Sequence, residues 1–295
     1  MLDKIRSLKI LNIMFRNLRK RKKLRILKYN KKIQGKLNID IKDFENFKFL
    51  KDLNQKFNLD IKDTEVNKLN LSCKNIGKNN EVFKYLKKID FNYLNELQLS
   101  FNEITDIEYL RNFKFDKLKI LQLDNNDIET IDILNKMKLI ELKYLYLNYN
   151  KISNIKVLEK VKFGKLEDLV LNENKISDIS VLNKVNFREL KVLEMNKNLI
   201  SDIKVLQNVK FEKLEILKLS SNSISDINVL ENVNFKELQV LDLSYNKISD
   251  MGIFKKIKFE KLTTLIIHNN LTSEEENSSI LKNLNAKPKE ECMIQ

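Results

Sequence analysis

From residue 94 onward the apolar positions recur with one period. Leucine starts at Leu94, Leu118, Leu142, Leu166, Leu190, Leu214, Leu238 and Leu262 are each 24 residues apart. Each start is followed by apolar residues three and five positions later, from Leu97 and Leu99 through to Leu265 and Ile267, and by an asparagine eight positions later, from Asn102 to Asn270. Alternation in the LxL step puts Leu97 and Leu99 on one face of a short strand and Gln98 on the other. A fixed 24-residue period means that each unit packs only on its neighbours, so parallel strands stack and bury a continuous leucine face. The asparagine sits where the chain turns away from the sheet and its backbone groups lose their strand partners. A short amide carrying both donors and acceptor suits a buried ladder there.

The return side is patterned too. Ile107, Leu110 and Phe113, or Ile179, Leu182 and Val185, recur every three residues, which predicts a 3₁₀ or single-turn helix. Phe91, Phe115, Leu139, Phe163, Phe187, Phe211, Phe235 and Phe259 form a second row at the same spacing and are expected in the core. Val66, Leu69, Leu71 and Ile76 read as an earlier repeat, offset because residues 77–80 (GKNN) insert four positions on the return side. The FxxFxFLxxL stretch within 37–65 is read as part of degenerate repeats or of an N-terminal cap. Ser279 to Leu284 is expected to cover the other end, since an open solenoid end exposes core and strand edge. The expected organisation is a basic arm over 1–36, the degenerate or capping segment over 37–65, repeats over 66–271, and a cap and tail over 272–295.

LxxLxLxxNxL over eight consecutive starts resembles the leucine-rich repeat. The segments ISNI at 152–155 and ISDI at 176–179, 200–203 and 224–227, with ISD at 248–250, narrow the resemblance. They are similar to the class that includes the leucine-rich regulatory subunit of protein phosphatase one and the bacterial internalins. The likeness covers residues 94–271, although each turn here carries an added VxF step. It implies an α/β solenoid, a horseshoe with parallel strands on the concave face and short helical or 3₁₀ segments on the convex face. It also implies a protein partner held on the strand side, with regulation of a phosphatase as one version of that role.

The outward positions of the strands follow from the register. Tyr144, Tyr146 and Tyr149 fall together, with Phe101, Ile120, Val170 and Val192 on nearby turns. Tyrosine is enriched where binding energy concentrates, because its flat amphipathic ring buries area while fixing few torsions. These seven residues are the expected contact set for a protein partner whose identity the sequence does not give. The solenoid itself is expected to be monomeric.

Charge changes the picture only at the ends. Residues 1–38 hold fourteen Lys or Arg and one acid, a balance of +13 within a chain of +14, which leaves +1 for residues 39–295. The body is nearly neutral, so the overall basicity says nothing of its partner. The arm carries an unbroken cluster, Arg19, Lys20, Arg21, Lys22 and Lys23, and its apolar residues can line one side of a helix. An anionic membrane surface is the first expectation for it, with a solvated cap helix, a nuclear-localisation or nucleic-acid patch and a mitochondrial transit peptide as the alternatives. At the other end Cys292-Met293-Ile294-Gln295 matches a prenylation box, and a prenyl chain with a basic segment makes a two-part membrane anchor.

Cys73 and Cys292 are the only cysteines, too far apart in sequence for a disulfide framework or a CxxC metal site. The N-terminus lacks the apolar core of a secretory signal. The expected location is the cytoplasm, at the cytoplasmic face of a membrane where both terminal devices act together, with the nucleus as alternative. The single histidine, His268, has no nucleophile or carboxylate at catalytic spacing, and the isolated glycines make no phosphate loop. Asp178, Asp202, Asp226 and Asp250 follow serine at turns, where side-chain bonds to the backbone explain them. No catalytic residue, metal or cofactor is expected.

Overall fold

In a computed structural model, residues 32, 33, 35, 41–61, 66–77, 81–257 and 259–283 are described. The basic cluster Arg19–Lys23, the expected arm helix and Cys292 lie outside the described residues. The chain divides into two compact units, Met1–Val66 and Asn67–Gln295.

In the first unit, α1 (Ile41–Phe57) takes up the FxxFxFLxxL stretch as helix, with Leu50 and Leu53 buried. It ends where Asn58 turns left-handed (φ 50°) and the Leu59 N–H donates back to the Asn54 carbonyl at 3.0 Å. That arrangement closes a helix because it satisfies a carbonyl the next turn no longer reaches. The Asn54 side chain holds the following residue from both sides, accepting from Ile61 N at 3.0 Å and donating to Ile61 O at 2.7 Å.

The second unit is one nine-stranded parallel sheet in sequence order. Its strands are β1 (Lys68–Asn70), β2 (Glu96–Gln98), β3 (Ile120–Gln122), β4 (Tyr144–Tyr146), β5 (Asp168–Val170), β6 (Val192–Glu194), β7 (Ile216–Lys218), β8 (Val240–Asp242) and β9 (Thr264–Ile266). From β2 onward every register pair is separated by 24 residues, as Leu97 with Leu121 and Leu121 with Leu145. The β1–β2 pair is offset by 28, as Leu69 with Leu97. The extra residues are taken up on the return side, where α2 (Glu81–Leu86) replaces a 3₁₀ turn and buries Val82, Phe83 and Leu86.

Return segments elsewhere are 3₁₀ turns such as Lys156–Glu159 and Ser180–Asn183. The short polar residue two positions before each turn's first N–H holds it. Asp178 accepts from Ser180 N at 2.9 Å, Asp202 from Lys204 N at 2.8 Å, Asp226 from Asn228 N at 2.9 Å and Asp250 from Gly252 N at 2.7 Å. The aspartates are turn formers, since a carboxylate on one methylene reaches the second N–H ahead.

The core has the two expected rows. The strand leucines and the return-side isoleucines are buried, and so are Phe91, Phe115, Leu139, Phe163, Phe187, Phe211 and Phe235. Phe259 corrects the expectation for its row. It is half-exposed because it belongs to the last return segment, beyond which no further repeat stacks. There α3 (Glu274–Asn283) packs on the final 3₁₀ turn, Gly252–Lys255, and buries Ile280.

A candidate partner-binding face on the sheet

The strands present their leucines inward and their flanking residues outward, so the open face is made of columns running across the turns. Two columns carry the geometry of the site. In the first, every turn has a left-handed residue just before the ladder asparagine: Phe101, Asn125, Tyr149, Glu173, Lys197, Ser221, Tyr245 and Asn269, with φ between 53° and 57°. This conformation points the chain out of the sheet and suits glycine or asparagine, yet three positions hold large aromatics. Phe101, Tyr149 and Tyr245 are 57%, 50% and 55% exposed. Backbone geometry therefore holds these rings out of the core. A left-handed turn at each repeat was not legible beforehand, because it is not written in a Phe or Tyr.

The second column is polar and self-bonded. Asn148 donates its backbone N–H and its Nδ2 to Asp124 Oδ1, at 2.9 and 2.8 Å. Asn172 N donates to Asn148 Oδ1 at 2.9 Å, Asn196 N to Asn172 Oδ1 at 2.8 Å, and Ser220 N to Asn196 Oδ1 at 2.8 Å. This surface ladder runs beside the buried one and was missed in the sequence. The signal was there: residues 100, 124, 148, 172, 196, 220 and 244 are all Ser, Asp or Asn.

The expected contact residues separate into two groups on this frame. Tyr144 and Tyr146 lie at the two ends of β4, half-buried, in register with Ile120 and Gln122 on one side and Asp168 and Val170 on the other. Tyr149 instead sits in the left-handed column with Phe101. These two rings stand two turns apart across the smaller Asn125 and wall a notch of about 430 Å³, lined also by Glu103 and Asp127. Strand spacing of about 4.8 Å sets the walls roughly 10 Å apart, wide enough for one flat group between them. Ile120 and Val192 are half-buried on the face. Val170 corrects the expectation of an open apolar contact: it is buried, 7% exposed. Its register neighbours on either side are the longer Tyr146 and Glu194.

Electrostatics distinguish the same region. The outward glutamates are each matched to a lysine one turn away, Glu96 to Lys68 at 2.8 Å, Glu173 to Lys197 at 2.5 Å and Glu194 to Lys218 at 2.7 Å. Just before β5, Glu167 bridges Lys143 and Lys191, which stand just before β4 and β6, and its carboxyl is held below the usual carboxylate range by both. Asp124 and Asp168, which flank β4, have no ion pair among the described residues. Burial pushes both carboxyls up, against the lowering effect of bonds from Asn148 on Asp124 and from Tyr146 on Asp168. The Tyr146 hydroxyl donates to Asp168 Oδ2 at 3.3 Å, and burial with that adjacent charge raises it to about 12. His268 is exposed at the far end of the face, its ring edge-on to Tyr245 at 5.3 Å.

Comparison with known proteins agrees with the architecture. A family profile described as leucine-rich repeats in two copies matches residues 140–184 and 212–256, and a single leucine-rich-repeat profile matches 92–107. Internalin C2 of Listeria monocytogenes is similar in structure, with TM-score 0.53 and 23% identity over 68% of this chain and 80% of that one. The plant peptide hormone receptor RGFR1, solved in complex with RGF2, is similar with TM-score 0.50 and 26% identity, over 64% of this chain and 30% of the receptor chain. No curated protein matches the sequence. The chain carries leucine-rich repeats over these stretches and has the fold seen in an internalin. Such a scaffold is consistent with protein–protein interaction.

Proposed function

We propose that the chain is a non-catalytic scaffold that holds a protein partner on the open face of its sheet, with β4 at the centre. The observation that carries this reading is the concentration of rings there. Tyr144 and Tyr146 stand on one strand, and Tyr149 with Phe101 is held outward by a left-handed backbone. Rings fixed by a rigid sheet lose little freedom on contact, so more of their burial energy is left for affinity. That a receptor of similar fold was solved with RGF2 bound supports the same use of this scaffold. The test is affinity capture from the native cell with the intact chain and with a Tyr144→Ala/Tyr146→Ala/Tyr149→Ala variant. Loss of a specific partner from the variant, with its melting transition retained, is the expected result; equal capture by both overturns the reading. A catalytic phosphatase subunit among the lost proteins would define the scaffold as its regulatory subunit.

The reading includes a place of action. The CMIQ sequence around Cys292 and the basic cluster Arg19–Lys23 support attachment to the cytoplasmic face of an anionic membrane. Mass spectrometry of the native protein should find a prenyl group on Cys292. An unmodified Cys292 overturns the attachment, and salt-sensitive nucleic-acid binding lost with residues 1–36 would reassign the arm.

A further inference from the structure

Asp124 begins the surface ladder, yet the ladder does not need its charge. The next three positions in the column, Asn148, Asn172 and Asn196, are asparagines, and all three accept the following N–H at 2.8–2.9 Å, as Asp124 does at 2.9 Å. Asp168 likewise uses its carboxylate only to accept the Tyr146 hydroxyl, which an amide oxygen would do equally well. The outward glutamates of neighbouring turns are matched by lysines of this chain. The two aspartates are not, although both lie half-buried beside the tyrosines of β4. Partial burial without an ion pair is costly for a carboxylate; it raises both carboxyls here, and at Asp168 it outweighs the lowering effect of the more distant Lys191. A charge kept at such a position is balanced when the missing cation arrives from outside.

We infer that the β4 face takes a basic segment of the partner protein, with arginine or lysine side chains set against Asp124 and Asp168 and over the rings of Tyr144 and Tyr146. The inference rests on the proposed use of this face and adds the chemistry of what it holds. The two carboxylates stand two strands apart across the sheet and four residues apart along it. They lie roughly 16 Å from each other by the usual strand spacing and rise, so one extended segment reaches both with cations a few residues apart. Tyrosine rings between them present the negative faces that attract a cation, most of all a flat guanidinium. Charge complementarity argues for this occupant over an acidic or purely apolar one.

The test uses the full chain and a fluorescent eight-residue peptide of alternating arginine and glycine, with a counterpart in which citrulline replaces every arginine. Citrulline keeps shape and loses charge. Fluorescence anisotropy should show saturable binding of the arginine peptide and at least tenfold weaker binding of the citrulline peptide. The Asp124→Asn/Asp168→Asn variant keeps every acceptor named above and should melt like the parent, but bind the arginine peptide no better than the citrulline one. Asp242→Asn, which removes an outward carboxylate away from β4, should leave binding unchanged. Equal affinity for the two peptides, or undiminished arginine binding by the double variant, overturns the inference. A doubling of solution mass that the double variant abolishes would seat a second copy on this face and overturn it as well. The scaffold reading fails separately: a triple tyrosine variant that loses its native partner while the double aspartate variant keeps it leaves the face a binding surface and removes only the cation.

Discussion

The side-chain amide of Asn150 donates to the carbonyl of Leu123, one turn back, at 3.0 Å, while its Oδ1 accepts from Ile128 N at 3.0 Å. The same amide reaches Leu147 O and Asn148 O in its own turn. One side chain thus satisfies backbone groups of two successive turns in a region closed to water. Replacing Asn150 with Ala strands several of them, at about 1–3 kcal/mol each. Asn150→Ala should therefore cost at least about 3 kcal/mol in urea unfolding. Asn270 makes similar bonds at the partly exposed end, so Asn270→Ala should cost about half as much, because water replaces part of what is lost.

Tyr149 adopts φ 53° in a column where Asn125 and Asn269 occupy the equivalent positions. A left-handed backbone costs a residue with a Cβ roughly 1–2 kcal/mol, less for asparagine. Tyr149→Asn should raise the urea midpoint, by about 0.5–1 kcal/mol in stability, and at the same time weaken partner capture. A ring that is stabilising where it stands would contradict this.

Gly77 is needed for a close approach. Its N–H donates to Asn102 O at 2.8 Å, and a Cβ added at Gly77 would stand 1.9 Å from the Glu103 carbonyl oxygen. Gly77→Ala must push two backbones apart, at a cost of about 2 kcal/mol or more. Because each turn leans only on its neighbours, hydrogen exchange should quicken around β1 and β2 and stay unchanged from β6 onward.

Glu167 supplies a pH signature. Bonds from Lys143 and Lys191 hold its carboxyl below the ordinary value of 4.5. A depressed acid stabilises the fold above its unfolded value and stops doing so as pH falls through its folded one. Stability should therefore drop below about pH 4.5 by an amount that Glu167→Gln removes, seen as converging acid-unfolding curves. At neutral pH the substitution should cost on the order of 0.5–1 kcal/mol, since both lysines are well exposed.

Tyr109 stacks on Phe83 with ring centroids 3.6 Å apart, and its buried hydroxyl has no hydrogen-bond partner among the described residues. Burial, with Asp106 nearby, pushes that hydroxyl well above its usual range. Tyr109→Phe removes a polar group that makes no bond, so thermal unfolding should find it neutral or up to about 1 kcal/mol more stable.

Much of this was written in the chain. The 24-residue period foretold the strands, their register, the buried asparagine ladder and the phenylalanine row, because a repeat that stacks on itself must bury equivalent positions equivalently. The turn aspartates were legible for a similar reason, a short side chain bonding two residues ahead. Phe259 escaped, since periodicity carries no mark of where stacking stops.

Other features belong to the tertiary structure. That Phe101 and Tyr149 share a left-handed column, while Tyr144 and Tyr146 stay on the sheet, depends on backbone torsions no aromatic residue encodes by itself. Val170 is outward by alternation and buried in fact, because how much a short side chain is exposed depends on its register neighbours on other turns, here Tyr146 and Glu194. That Asp124 and Asp168 make no ion pair among the described residues depends on which lysines reach which neighbours across 24 residues. A local pattern determines what each turn is; only stacking decides what each turn shows to a partner.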